Sequence, residues 1–320
     1  MTPGTAEKRW IAGVDLGGTN IVVGLIPIEG GEVLGLRTRV TDATRGAKHV
    51  VDGMVAMVEE AIAEVTAEAG TTRDAVAGVG IGSPGPLDRK TGTVINTPNL
   101  GWRNFPLRDL IANAVKLPCT LDNDANCATY GEWWLGAGRG TQTLVGLTLG
   151  TGIGGGLILD GRPYRGSIGA GAELGHIVLE YGGPPCGAGC TGLGHFEAVV
   201  SGSVADAAAV RRFGAGTDAR DLVGAAIAGD EGAREDLGEI GRRLGSGIAS
   251  LVNIFNPEIV VLGGGFSEAG ELVLAPARET LARDGLRPAR DLVRIEWAEL
   301  GAEAGMVGAA LVGFEAVDAA

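Results

Sequence analysis

Asp124 is the residue in this sequence best placed to accept a proton from a substrate hydroxyl. It lies in the run Leu121–Asn126, between an apolar stretch and a helical pattern over Ala125–Trp134. A strand that ends here presents polar side chains at the edge of a sheet, where a carboxylate can take a hydroxyl proton as the oxygen bonds to phosphorus. A plainer interpretation is that Asp122 or Asp124 only caps the helix, since Asp and Asn are common N-cap residues.

Three glycine-rich runs follow predicted strands: Asp15–Asn20, Gly150–Gly156 and Gly263–Gly265. Backbone N–H groups in such turns can converge on a phosphate, and the missing Cβ lets the anion approach closely. One such run alone is better explained as a hairpin turn, but three in one chain favour a nucleotide site. The candidate phosphate-binding residues are Gly17, Gly18, Thr19, Asn20, Gly150, Thr151, Gly152, Gly154, Gly263, Gly264 and Gly265.

Asp15 opens the first glycine run and is acidic, so it is not expected to contact phosphate directly. It is the candidate for holding Mg²⁺ through water, because Mg²⁺ keeps much of its hydration shell and takes one or two carboxylates. The run matches neither the P-loop nor the dinucleotide motif, because no Gly-Lys-Ser/Thr follows it and it leads into a strand.

Two of the three histidines share a 20-residue stretch with half of the cysteines. His176, Cys186, Cys190 and His195 are spaced His-x9-Cys-x3-Cys-x4-His. Four nitrogen and sulfur ligands at short spacing suit a tetrahedral structural zinc. The alternative is a buried pair of thiols with incidental histidines. Cys119 and Cys127 have no histidine near them in sequence and are interpreted as core residues.

The elements that must position these residues occur twice along the chain. In the first half, strands at Trp10–Val14 and Ile21–Ile26 flank a glycine turn, and a helix and the strand Val76–Ile81 follow. In the second half, a strand ending at Leu149 and its glycine run are followed by a long helix and the strand Ile259–Leu262. This repeat predicts two α/β domains with a cleft between them. We place residues 1–121 and 304–320 in a small domain and residues 122–303 in a large domain that carries the zinc loop.

Composition narrows the function classes. The 320-residue chain is 45% hydrophobic and 20% charged and has no long uncharged apolar run, so we expect no membrane association. The net charge of −13 opposes nucleic acid, whose binding depends on Lys and Arg. Met1–Arg9 lacks the apolar core of a secretory signal, and a cytoplasmic location is therefore expected.

The glycine motifs Asp15–Asn20, Leu149–Gly156 and Leu262–Gly265 resemble those of the actin-like ATPase superfamily, whose ribonuclease H-like α/β domains bind ATP. The motifs Asn123–Asn126 and Ala172–His176, with the Cys/His cluster, resemble the ROK family of sugar kinases and sugar-responsive repressors. The resemblance covers nearly the whole chain. It is strongest to the bacterial kinases of the family that phosphorylate glucose.

The resemblance implies a role for each matching residue. Asp124 would be the general base for the sugar 6-hydroxyl, and the product would be glucose 6-phosphate. The cofactors would be ATP, Mg²⁺ and a structural zinc, and a homodimer or homotetramer is expected. The residues implied to bind the sugar are Asn99, Asn123, Asp124, Glu173, His176 and Glu197.

Alternatives stay open at this point. The family's zinc pattern is His followed by Cys-x-Cys-x4-Cys, from which this chain departs at Cys190 and His195. The acceptor could instead be mannose, fructose, N-acetylglucosamine or N-acetylmannosamine, and the donor could be polyphosphate. A non-catalytic sugar sensor is disfavoured because Asp124 and the glycine runs are retained. A repressor would need a DNA-binding domain ahead of Asp15, where only 14 residues stand.

Overall fold

A computed structural model describes residues 9–97, 99–187 and 190–318. The expectation about Met1–Arg9 falls almost entirely outside these residues. The strands are β1 (Trp10–Leu16), β2 (Asn20–Pro27), β3 (Leu34–Val40), β4 (Val76–Ser83), β5 (Leu87–Asp88), β6 (Thr93–Thr97), β7 (Trp102–Phe105), β8 (Cys119–Asn123), β9 (Leu144–Leu149), β10 (Ile153–Leu159), β11 (Arg162–Tyr164), β12 (Pro185–Gly187), β13 (Cys190–Leu193), β14 (Ile259–Gly263) and β15 (Arg294–Trp297).

The α-helices are α1 (Ala47–Glu68), α2 (Leu107–Val115), α3 (Asp124–Leu135), α4 (Phe196–Val199), α5 (Gly202–Phe213), α6 (Ala219–Ile227), α7 (Glu231–Phe255), α8 (Glu271–Asp284), α9 (Ala289–Leu292) and α10 (Ala304–Asp318). Short 3₁₀ helices cover Ala43–Arg45, Arg73–Ala75, Leu174–His176, Gly265–Ala269 and Gly301–Glu303. Within the described ranges, no helix combines the length and the apolar character needed to cross a bilayer.

The helices and strands gather into two compact units. Among the described residues, the first unit comprises those up to 140, residues 164–171 and those from 299 onward, and the second comprises those of 141–163 and 172–298. Each unit has its own apolar core, built on α1 and β1–β4 in the first and on α7, α8 and β9 in the second. The domain bounds predicted from the sequence stay a prediction.

The two units repeat one sheet topology, as the sequence predicted. The strand order is β3-β2-β1-β4-β8 in the first unit and β11-β10-β9-β14-β15 in the second. In each sheet the first hairpin is antiparallel, β1 with β2 and β9 with β10. The pairs β1–β4 and β4–β8 in the first sheet, and β9–β14 and β14–β15 in the second, are parallel. The predicted α/β class and the internal repeat are therefore confirmed.

The final helix, α10, packs on the first unit. Met306, Val307 and Ala310 of α10 join Ile11 and Val22 in one buried cluster. Glycines permit the close approach: a Cβ at Gly80 of β4 would stand 1.7 Å from the carbonyl oxygen of Ala309, so no other residue fits there without moving the helix.

Candidate active site

The junction of β8 and α3 positions Asp124. Strand β8 runs parallel to β4 and ends at Asn123, whose side chain caps α3 by accepting the N–H of Asn126 at 3.1 Å. The predicted alternative, a cap made by Asp122 or Asp124, is therefore wrong. Asp124 is the first helical residue and is half-buried, and its Oδ1 accepts the N–H of Ala125 at 2.8 Å. A carboxylate suits this place because the amino end of a helix carries partial positive charge.

Asp15, at the end of β1, lies close to Asp124. Burial, and after it the negative charge of Asp124, raises the pKa of Asp15 to about 7. The amino end of α10 is also beside it, since a Cβ at Gly305 would stand 2.3 Å from Oδ2 of Asp15. Asp15 is half-buried and held near a second carboxylate, and this environment fits a bound cation.

The first glycine turn connects β1 to β2. The N–H of Gly17 donates to the carbonyl of Asn20 at 2.9 Å, and Thr41 Oγ1 donates to the carbonyl of Gly17 at 2.7 Å. Gly18, Thr19 and Asn20 are exposed. Asn99 is exposed as well and lies beside this turn, 3.8 Å from where a Cβ of Gly18 would be.

The second glycine run is shorter than predicted. The turn covers Gly150–Gly152, while Gly154 and the two glycines after it lie in β10. Gly155 is needed for packing, because its Cβ would stand 2.5 Å from the carbonyl of Ala172. The hydroxyl of Ser203 donates to the carbonyl of Thr151 at 2.7 Å, which holds the turn and leaves Thr151 exposed.

The third glycine run follows β14. Gly264 has φ +92°, and a Cβ there would stand 2.4 Å from the carbonyl oxygen of Leu149, so glycine is required for the backbone itself. Gly265 is exposed, and among the described residues no atom comes within 4 Å of its Cβ position. Space is therefore available at Gly265 for a ligand.

Glu197 connects the second glycine run to the Cys/His cluster. Its Oε2 accepts the N–H of Ile153 at 3.1 Å, and its Oε1 lies 2.9 Å from Sγ of Cys186 and 3.8 Å from Nδ1 of His176. Glu173 is exposed and immediately precedes the 3₁₀ helix that ends at His176. These contacts distinguish Glu197 from an ordinary surface carboxylate.

The four predicted zinc ligands converge in the second unit. One ligand atom from each of His176, Cys186, Cys190 and His195 lies within 4.8 Å of the others. The two Nδ1 atoms are 3.1 Å apart, Cys186 Sγ is 3.5 Å from Nδ1 of His176, and Cys190 Sγ is 3.6 Å from Nδ1 of His195. Tetrahedral zinc places N···N pairs about 3.3 Å apart and N···S pairs about 3.6 Å apart, so the spacing suits this metal.

The six candidate sugar ligands are divided between the units. Asn99, Asn123 and Asp124 belong to the first, and the other three, Glu173, His176 and Glu197, belong to the second. The side-chain carbonyl of Asn123 is used for capping, which leaves its amide nitrogen as the group for a ligand. Convergence of the Nδ1 atoms likewise leaves Nε2 of His176 outside the metal cluster.

Sequence reasoning missed one charged cluster and one buried carboxylate. Asp122 is fully buried and lies 2.7 Å from Nε of Arg165 and 3.0 Å from Nε of Arg89. Glu132 is 3% exposed, and its carboxylate accepts backbone N–H groups of Ala137, Glu299 and Leu300 at 2.8–3.0 Å. Nothing in the local sequence separates these partners from ordinary surface charges. The only signal was an Asp two residues before Asp124 and a Glu within a predicted helix.

Comparisons with known proteins agree with this geometry. The profile of the ROK family matches residues 11–314. The glucokinase of Thermotoga maritima is 40% identical over 326 aligned residues, covering 95% of this chain and 97% of that protein.

Two solved structures match nearly the whole chain. The ROK family glucokinase of Streptomyces griseus, determined in complex with glucose and AMPPNP, has a TM-score of 0.79 at 35% identity and covers 96% of this chain and 99% of its own. The ROK hexokinase of Thermus thermophilus has a TM-score of 0.82 at 36% identity, covering 97% of this chain and all of that one. The similarity therefore extends over both units.

Proposed function

We propose that this chain, which belongs to the ROK family, transfers the terminal phosphoryl group of ATP to the 6-hydroxyl of glucose. The observation that carries the proposal is the Asp124 carboxylate at the amino end of α3, beside the half-buried Asp15. The match to the Thermotoga and Streptomyces glucokinases supports glucose as acceptor and ATP as donor.

Asp124 supplies the base. As the 6-oxygen of glucose bonds to phosphorus, its O–H bond breaks, the proton passes to the Asp124 carboxylate, and the bond from phosphorus to the bridging oxygen of ADP breaks. General-base catalysis of this kind contributes about 100- to 10,000-fold. The N-cap by Asn123 fixes the start of α3 and so fixes the direction in which Asp124 points.

The glycine turns hold the nucleotide in this account. Thr19 and Thr151 are exposed hydroxyl donors on two turns, and Gly265 has open space above its Cβ position. Asp15 would hold Mg²⁺ through water. When bound, Mg²⁺ neutralises charge on the phosphates. Its positive charge would also favour the ionised form of Asp15, whose pKa is raised in its absence.

A polyol needs several donors and acceptors to fix its orientation, and the sugar ligands supply both. Asn99 and the Asn123 amide nitrogen donate, and Glu173 and Glu197 accept. A sugar with a different hydroxyl pattern leaves some of these groups unpaired, which is how such a site discriminates.

Zinc, in this proposal, holds the sugar ligands of the second unit. Bound through Nδ1, His176 would have its ring direction fixed, with Nε2 turned to a sugar hydroxyl. Glu197 lies 2.9 Å from Cys186, so the metal site would also hold this carboxylate. We further propose that the enzyme acts in the cytoplasm as a homodimer or homotetramer and supplies glucose 6-phosphate to glycolysis.

A panel of acceptors and donors tests the proposed function. Glucose, mannose, fructose, N-acetylglucosamine and N-acetylmannosamine are each assayed with ATP and with polyphosphate, and sugar phosphate and ADP are measured directly. Glucose with ATP is expected to give the highest kcat/KM. Higher kcat/KM with another pair would reassign the substrate, and glucose binding without turnover of any pair would identify a sensor.

A further inference from the structure

Asp122 carries a buried charge two residues before the proposed base. Its Oδ2 lies 2.7 Å from Nε of Arg165 and 3.0 Å from Nε of Arg89, and its Oδ1 accepts the N–H of Asn123 at 2.8 Å. Loss of such partners leaves a buried carboxylate unpaired, and this strongly destabilises the fold. The two arginines therefore stabilise the carboxyl end of β8, where Asp122 lies.

A second carboxylate completes the cluster from α10. The two oxygens of Glu315 lie 2.6 Å from Nη2 of Arg89 and 2.7 Å from Nη2 of Arg165. Two arginines and two carboxylates thus form a closed ring of ion pairs with no net charge. Ring geometry of this kind fixes side chains more firmly than isolated surface pairs do.

Arg165 also reaches the helix that begins with Asp124. Its guanidinium carbon lies 5.2 Å from the ring centroid of Tyr130, which is buried in α3. This distance allows a cation–π interaction. Arg165 therefore contacts the strand before Asp124 through Asp122 and the helix after it through Tyr130.

The loop that begins at Arg165 leads to another sugar ligand. The N–H of Gly171 donates to the carbonyl of Arg165 at 2.9 Å and closes the loop over residues 165–171. Glu173 follows two residues later. Because the loop is closed on itself, anchoring Arg165 also holds Gly171, the last residue of the loop.

We propose that Arg165 is a positioning residue for phosphoryl transfer, holding the β8–α3 junction that carries Asp124 and the loop that leads to Glu173. This inference rests on the proposed function. Displacement of reacting groups by about 1 Å costs about 100-fold in rate. Loss of Arg165 is therefore expected to act on both kcat and the binding of glucose.

The test compares full-length wild type with Arg165→Met, Arg165→Lys and the control Arg162→Met, an exposed arginine of β11. Arg165→Met is expected to lower kcat about 10- to 100-fold and raise the KM for glucose, with the KM for ATP changed less than about two-fold. Arg165→Lys, which keeps the charge, should recover part of the loss. A variant that loses thermal stability but keeps wild-type kcat and glucose KM would overturn the proposal.

A double-mutant cycle tests whether Arg165 acts through Asp122. Asp122→Asn with Arg165→Met removes both charges, so its loss of kcat is expected to be close to that of the worse single variant. Losses that multiply would contradict action through Asp122.

Hydrogen exchange gives a readout without turnover. Faster exchange is expected in residues 119–126 and 165–171 of Arg165→Met but not of Arg162→Met, and unchanged exchange in both segments would overturn the positioning role. Absence of glucose phosphorylation by wild type would instead refute the proposed function, with the exchange result still deciding whether Arg165 holds these segments.

Discussion

The carboxyl groups of Asp15 and Asp124 lie close enough that the charge of Asp124, together with burial, raises the pKa of Asp15 to about 7. An acid whose pKa is higher in the folded chain than its ordinary 3.8 binds its proton more tightly when folded. Its contribution to stability is therefore full below the unfolded value and is lost as the pH rises toward 7.

The first prediction concerns Asp15→Asn. Asparagine keeps the shape of the side chain but does not titrate, so the variant does not lose stability at this position as the pH rises. In Mg²⁺-free buffer, the variant's gain in the free energy of unfolding over wild type should be larger at about pH 8 than at about pH 5. Thermal or urea unfolding at the two pH values measures it. An equal difference at both would mean that Asp15 does not titrate in this range. The exposed Asp74→Asn is the control.

The second prediction concerns the metal. Protein purified without a histidine tag should contain about one zinc per chain, and Cys186→Ser or Cys190→Ser should lose zinc, stability and glucose affinity together. Cys119→Ser should keep all three, because Cys119 lies outside the cluster. Burial raises the pKa of the Cys119 thiol to about 12, so this thiol should also react slowly with alkylating reagents.

Active wild-type enzyme that contains no zinc would refute the assignment of His176, Cys186, Cys190 and His195 as a zinc site.

The third prediction separates two neighbouring glycines. Gly265→Ala should fold normally and raise the KM for ATP, because its methyl group enters open space proposed for the nucleotide. Gly264→Ala should lose thermal stability, because its φ of +92° and the carbonyl of Leu149 leave no room for Cβ. Melting temperatures and nucleotide KM values distinguish them. An unchanged KM for Gly265→Ala would place the nucleotide elsewhere.

The fourth prediction concerns Glu132, whose carboxylate accepts three backbone N–H groups. Glutamine offers only one oxygen and turns an N–H₂ toward the remaining donors. Glu132→Gln should therefore lower the free energy of unfolding by about 2–3 kcal/mol. Urea unfolding measures this, with the exposed Glu299→Gln as control. A change below about 0.5 kcal/mol would show that the buried hydrogen bonds contribute little.

The sequence predicts most of the secondary structure and of the short-range motifs in this protein. The repeat of strand, glycine turn, strand and helix gave the α/β class, and spacing alone brought His176, Cys186, Cys190 and His195 into one set. Local propensity misplaced the end of the second glycine run, because Gly154 and Gly155 are required by packing in a strand and look like turn residues in sequence.

Long-range pairing is what the sequence does not reveal. Arg89 and Glu315 are separated by 226 positions, and Arg165 by 43 positions from Asp122. Each is an ordinary charged residue in its own segment. Only the fold brings them together, because β8, α10 and the loop after β11 meet in the first unit.

The central claim, that Asp124 is the base of a glucose kinase, is tested most directly by Asp124→Asn. Asparagine keeps the shape at the start of α3 but cannot take the proton. Turnover is measured with glucose and ATP, and glucose affinity is measured separately by calorimetry, with Asp74→Asn as control. We predict a loss of kcat of about 100-fold or more with glucose affinity changed only a few-fold. Retention of more than about a tenth of wild-type turnover would contradict the assignment.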